Sequence, residues 1–345
     1  MPLSDYHASA GDWREQLRRN ERKTRMVIAI FFAVYIGVGL LADTVILDYL
    51  HPGATLLDCY LALITLKVIP YATLIMIGVA IISLFITYTL YDRIMLLGTN
   101  YRLITPGTAQ SLEEKQLYNV VEEMKVASGL KYMPRVYLIE ANYMNAFASG
   151  YSEKSAMVAI TRGLMEKLNR AEMQAVMSHE LSHIRHHDIK LTLTVAVLSN
   201  LLLIAIDIMF YAMIYKRDRR NEDNRLFMVI MLLRYLLPLI TVVLALFLSR
   251  TREYMADAGA VELMRDNEPM ARALLKITED HQQHAEQYTQ EYGQTPHEEV
   301  RQASYLFDPS SIDPIKSLHN AFSTHPSLDE RLRALGFKRK VKAPQ

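Results

Sequence analysis

Cysteine is almost absent from this chain: Cys59 is the single thiol in 345 residues. One thiol closes no disulfide within the chain and builds no thiolate cluster, so any bound metal has to be held by His, Asp or Glu. An excess of charge of either sign is missing too, with 38 basic and 37 acidic residues and a net +1. That balance gives no reason to expect nucleic acid as a partner. No internal repeat is evident. What the chain has in plenty is apolar surface, with 51% hydrophobic residues and a mean hydropathy of +0.05. Its 22% of charged residues is too many for a pure membrane bundle. The combination predicts membrane helices joined to a soluble domain, with a lipid bilayer as one partner.

The first 25 residues are polar and basic, with Arg14, Arg18, Arg19, Arg22, Lys23 and Arg25. Met26 to Ala42 then runs without a charge, just long enough to cross ~30 Å of hydrocarbon. A cleavable signal peptide is the rival reading. The lack of a small-residue cleavage site before Asp43 and the length of the basic stretch favour an uncleaved anchor. Val68 to Leu90 is the clearest span. The loop between the two carries Asp43, Asp48 and Asp58, while Lys and Arg are absent from Asp43 to Leu66. The positive-inside rule then sets the N-terminus and the following soluble domain on the cytoplasmic side. Two later apolar runs, Leu191 to Tyr215 and Leu226 to Ser249, are interrupted only by Asp207 and Arg234, and a basic stretch, Lys216 to Arg225, separates them. That basic loop opposes a simple crossing, so the hairpin crosses despite it, dips in, or packs on the soluble domain. In an antiparallel pair Asp207 and Arg234 fall at similar depth, and the cost of a lone charge in hydrocarbon predicts that they meet; separate snorkelling is the alternative. The domain plan is a basic segment 1–25, two spans 26–92, a soluble part 93–188, the hairpin 189–249 and a second soluble part 250–345.

In the soluble part, Ser111 to Gly129 has the pattern of an amphipathic helix ended by glycine. Arg135 to Ile139 and Ala156 to Ile160 read as strands, with Asn145 to Ser149 as a third. Asn169 with Glu172 three residues on is a capping pair that starts a helix near Arg170. Thr278 to Gln302, polar and rich in Gln, Glu and His, reads as a mobile surface segment.

On the helix that starts near Arg170 lies His179-Glu180-Leu181-Ser182-His183. Two His at i and i+4 share one face, so both imidazoles can reach one ion at about 2.0–2.1 Å. Three protein ligands leave a position for water, which zinc acidifies, and Glu180 is placed to take its proton and pass it to a leaving amine. His186 and His187 fall off that face and read as surface residues. Glu253 is the candidate third ligand: the His helix leads into one apolar run, the next run ends at Ser249, and a hairpin returns the chain to the face it left. Asp257, one turn further, and Asp188 are candidates to receive the second ring N–H of a ligand histidine. The expected cofactor is one Zn²⁺ per chain. A non-hydrolytic zinc scaffold is the rival from another class, and it leaves Glu180 without a purpose.

Four segments in order carry a resemblance: Asn145-Ala146-Phe147-Ala148-Ser149-Gly150, His179 to His183 with Asp188, Ser249 to Asp257, and Thr324-His325-Pro326-Ser327-Leu328-Asp329-Glu330-Arg331. With them the chain resembles the HtpX-type heat-shock membrane metalloproteases, which share a clan with the prenyl-protein (CaaX) membrane peptidases. The resemblance implies a mainly α fold with a small β-sheet, a multi-pass membrane protein with a zincin-like (gluzincin) domain in the inner, plasma membrane. It implies His179, His183 and Glu253 as zinc ligands, Glu180 as general base, and His325 and Arg331 as oxyanion-stabilising residues. Asn145, Ala146, Phe147 and Ala148 would form an edge strand to which a substrate adds. The implied substrates are misfolded or damaged membrane proteins, with a narrow processing peptidase as the alternative.

Overall fold

A computed structural model describes residues 3–8, 13–51, 53–96, 99–150, 152–216, 224–294, 305–307 and 325–339. The helices are α1 (Trp13–Leu50), α2 (Leu56–Ile64), α3 (Tyr71–Leu96), α4 (Leu112–Ser128), α5 (Arg162–Lys167), α6 (Arg170–Arg185), α7 (Asp188–Lys216), α8 (Asn224–Met264), α9 (Glu268–Gln283), α10 (Ala285–Gln294) and α11 (Leu328–Ala334). The strands are β1 (Tyr6–Ala8), β2 (Tyr101–Ile104), β3 (Arg135–Ile139), β4 (Ala146–Ser149), β5 (Met157–Thr161) and β6 (Phe337–Arg339). The chain folds into two compact units. One comprises 1–24, 90–191 and 248–345, the other 25–89 and 192–247.

The second unit is helical. Among the described residues, four helices are long and apolar enough to cross a membrane: Leu17–Leu50, Tyr71–Tyr91, Asp188–Ile214 and Leu226–Met264. They pack together through Tyr35, Val38, Ala80, Leu198, Leu202, Ile206, Ile230 and Leu237. α1 also caps α3: the Asp43 carboxylate accepts from the backbone N–H groups of Ala72 (2.7 Å) and Thr73 (2.9 Å) and from the Thr73 hydroxyl (2.7 Å). An aspartate there satisfies donors that a helix start leaves open, at the end where negative charge is favoured. Between α1 and α3, where the sequence pattern shows only a loop, α2 forms behind a Thr55–Asp58 capping box. Asp207 and Arg234 meet as expected, with Arg234 Nε donating to Asp207 Oδ1 at 2.7 Å, and the guanidinium lies 4.2 Å from the Phe210 ring centre. The connecting residues 217–223 fall outside the described set.

The first unit holds a four-stranded mixed sheet of order β2-β3-β5-β4, with β3 and β5 parallel and the other pairs antiparallel. β3 and β4 lie at or within a residue of the positions read from sequence; β5 sits one residue later. β4 is an edge strand, yet all four of its residues are buried. Its start is fixed by Thr161, whose hydroxyl donates to the Tyr143 carbonyl (2.6 Å) and accepts from the Asn145 N–H (2.9 Å). α4 begins at a Ser111 cap and ends at Gly129, whose φ of 74° suits glycine. The expectation of a mobile surface segment over 278–302 is wrong for its described part. Residues 278–294 continue α9 and form α10, because His281, Tyr288 and Tyr292 are spaced to bury one face against Tyr143 and Tyr305. The remainder, 295–302, lies outside the described residues.

Candidate metal centre

α6 opens with the Asn169–Glu172 capping box and is buried from Ala175 through Ile184. α8 lies close against it: a Cβ on Gly259 would sit 2.3 Å from Ser182 Oγ. That approach delivers Glu253 to the imidazoles. His179 Nε2 and His183 Nε2 are 3.1 Å apart, and Glu253 Oε2 and Oε1 lie 3.6 Å from them respectively. A tetrahedral ion held at 2.0–2.1 Å separates its donors by about 3.3 Å, so the triangle has the right size.

The protonation of the rings makes the same point. His183 Nδ1 donates to Asp188 Oδ2 at 2.8 Å, and His179 Nδ1 lies 3.0 Å from Asp257 Oδ1. Each Nδ1 faces a carboxylate and carries the proton there, so in the neutral rings both Nε2 atoms present lone pairs to one another. Two lone pairs converging at that distance repel unless a cation lies between them. The residues fit a divalent metal.

Each aspartate is held in turn by an arginine. Arg331 grips Asp257 through Nε (2.9 Å) and Nη2 (2.6 Å), and Arg252 Nε lies 3.3 Å from Asp188 Oδ1. Two parallel His–Asp–Arg chains therefore support the ligand pair. Sequence reasoning named Asp188 and Asp257 as partners of the histidines and gave Arg252 no role; its only signal was its adjacency to Glu253. His186 is half-buried and His187 exposed, both off the donor triangle.

Glu180 is 1% exposed. Burial pushes its pKa up to about 7; the His183 charge opposes this, Glu253 adds to it, and Arg331 and the Ala148 backbone amide oppose it. A carboxyl near neutrality is suited to taking and returning a proton. Burial lowers the pKa of His179 against the pull of Asp257. For His183 burial is outweighed by the Asp188 hydrogen bond and by Glu253, and the net shift is upward. Burial acts against the charge of Arg331, but Asp257 and Glu253 more than offset it. His325 is buried, with Nδ1 3.4 Å from Glu253 Oε2, and Arg331 Nη1 is 3.7 Å from the same oxygen. Asn145 lies just before β4, and Ala146, Phe147 and Ala148 lie on it.

A profile of peptidase family M48 matches residues 111–337. The "Protease HtpX homolog" of Helicobacter acinonychis (strain Sheeba) is 37% identical over 320 residues, covering 92% of this chain and 96% of its own. That of Dictyoglomus turgidum (strain DSM 6724 / Z-1310) is 34% identical over 331 residues, covering 93% of each. The crystal structure of S. mikatae Ste24p superposes with a TM-score of 0.48 at 19% identity, over 90% of this chain and 65% of that one.

Proposed function

The chain belongs to peptidase family M48, and from that premise we propose a zinc-dependent membrane endopeptidase with Glu180 as its general base. One observation carries the reading: two buried Nε2 lone pairs converge with the Glu253 carboxylate on a single point, with Glu180 beside them. Two nitrogens and one oxygen are a donor set that suits zinc. A zinc ion held by His179, His183 and Glu253 would polarise a scissile carbonyl and acidify water at the open position. Asp188 and Asp257 hold the imidazoles in one tautomer and orientation. Glu180 accepts the proton released when water attacks and delivers it to the leaving amine. Arg331 supplies positive charge, and His325 a ring nitrogen, on the side where an oxyanion develops. β4 offers its outer edge to an extended substrate, and backbone pairing of that kind tolerates many sequences. Such tolerance fits misfolded or damaged membrane proteins as substrates, met on the cytoplasmic face of the inner membrane.

The test is metal analysis with casein cleavage by the purified full-length protein. Glu180→Gln retains zinc and loses activity by about 10²–10⁴-fold, whereas His183→Ala and Glu253→Ala lose the metal as well. Full activity in Glu180→Gln ends this mechanism.

A further inference from the structure

β4 is where an extended peptide can add to the sheet, because an edge strand leaves a row of backbone groups open. Here the first of those groups is already taken by the chain itself. The Leu306 N–H donates to the Ala146 carbonyl at 2.9 Å. The Asn145 carboxamide brackets the next residue: its Nδ2 donates to the Phe307 carbonyl (2.9 Å) and its Oδ1 accepts from the Phe307 N–H (3.2 Å). The Leu306 carbonyl accepts from Arg331 Nη1 at 2.9 Å, the same nitrogen that lies 3.7 Å from Glu253. Tyr305 and Leu306 are buried, and the Tyr305 ring packs 5.7 Å from that of Phe147 on β4. Ala148, two residues on and so on the same outer side of the strand, turns its amide toward Glu180.

All four hydrogen bonds use the backbone of Leu306 and Phe307. These are the groups any substrate strand presents, whatever its side chains. We propose that Tyr305–Phe307 is an internal strand mimic that occupies the substrate edge of β4 and holds the peptidase in check until a substrate displaces it. The inference rests on the peptidase reading. A segment that only completes the core would lower stability and activity together when loosened. A competitor, once loosened, gives up its share of KM and leaves kcat alone.

Leu306→Pro removes the N–H that Ala146 accepts, and Tyr305→Ala removes the ring contact should the proline variant fail to fold. Each is compared with wild type and Glu180→Gln on a fluorogenic casein-derived peptide, with zinc content measured alongside. If the segment covers the edge nine-tenths of the time, KM falls about tenfold in the variants at constant kcat. A synthetic octapeptide of residues 303–310 then inhibits the variants competitively and wild type more weakly. Unchanged or raised KM in whichever variants fold with zinc bound overturns the proposal, as does an octapeptide that fails to inhibit. Zinc-loaded wild type and variants that all fail to cleave would instead sink the peptidase reading, and this inference with it.

A separate feature of the same unit carries an assignment of its own. Arg19, Asn20 and Lys23 of α1, Tyr254 of α8 and Glu330, Arg333 and Ala334 of α11 line a cavity of about 330 Å³. Asn20 is 3% exposed, and its side-chain Nδ2 has no acceptor among the described residues. Arg19 and Lys23 stand one turn apart on α1 and so share one face of it. Neither Arg19 nor Arg333 makes an ion pair among the described residues, and Glu330 is engaged in the Ser327 cap of α11. Lys23 lies three residues, about 4.5 Å of helix rise, before the apolar run that begins at Met26. The structure assigns this cavity to the phosphate of an anionic lipid headgroup, whose several acceptor oxygens match the Arg19 and Arg333 guanidinium groups and the Asn20 amide donor.

Native mass spectrometry of the full-length protein with phosphatidylglycerol or phosphatidylcholine tests it. Wild type should retain phosphatidylglycerol about tenfold more strongly than Arg19→Gln/Arg333→Gln, with phosphatidylcholine equal in both. Equal retention of phosphatidylglycerol by the two proteins overturns the assignment. Thermal stabilisation by inorganic phosphate as large as that by phosphatidylglycerol makes the site one for a free anion and overturns the lipid reading.

Discussion

Asp188 and Asp257 set the geometry of the two imidazoles without touching the donor triangle themselves. Replacing Asp188 with Asn keeps the shape but no longer fixes which His183 nitrogen carries the proton. Zinc affinity should fall 10–100-fold, read by competition with a chromophoric chelator. His281 makes a prediction of another kind. It is fully buried, its Nδ1 donates to the Ile277 carbonyl, and its Nε2 accepts from the Tyr292 hydroxyl, which in turn accepts from Asn145. Burial lowers its pKa from 6.5 to about 4, with Asp280 opposing and Lys167 and His284 adding to the shift. The unfolded chain therefore binds this proton first. The stability tied to neutral His281 is complete above pH 6.5 and is lost as pH falls toward 4, by about 3 kcal/mol in full. Unfolding of His281→Phe should show a shallower loss than wild type between pH 7 and 4.5.

Gly259 allows α8 to approach α6. A methyl group there meets Ser182, whose hydroxyl donates to the Ser178 carbonyl (2.8 Å), so the serine has little freedom to yield. Gly259→Ala should destabilise by about 1–3 kcal/mol and weaken zinc binding together, seen in thermal melts with and without chelator. At this scale the sequence was most readable where local chemistry acts alone. The Asn169–Glu172 and Ser111–Gly129 boundaries follow from side chains that bond to their own helix ends. β2 was missed because its pairing with β3 is non-local, and only the last of its four residues is buried. α10 was missed because a polar composition hid two tyrosines spaced one turn apart. Leu306 carried no local signal at all, since its partners Ala146 and Arg331 are distant in sequence.

Across the whole chain, the four long helices were legible from apolar run length, and the Asp207–Arg234 pair from charge placement within two such runs. Removing Asp207 leaves Arg234 without its carboxylate, whereas removing both takes away the need for one. Asp207→Ala should therefore destabilise the detergent-solubilised protein more than Asp207→Ala/Arg234→Leu, measured by unfolding in mixed micelles. The return of Glu253 to the His pair was likewise inferred from connectivity, and the donor distances now place the three side chains together. The grip of the two arginines on the aspartates was not readable: Arg252 had no role and Arg331 only one at an oxyanion, because a guanidinium beside a carboxylate in sequence says nothing about which distant acid it will hold.

Those arginines also fix an electrical account. Glu253, Asp188 and Asp257 offer three negative charges around the site and Glu180, whose pKa is pushed up to about 7, offers part of a fourth, while Arg252 and Arg331 return two positive ones. The net negative field left over favours a divalent ion. Loading is thereby tied to folding: stripping the protein with a chelator should lower its melting temperature, and zinc at a thousand times its Kd should restore about 4 kcal/mol. Zinc would then act as a keystone as well as a reagent, and the emptied protein would be the form most exposed to destruction by its own kind.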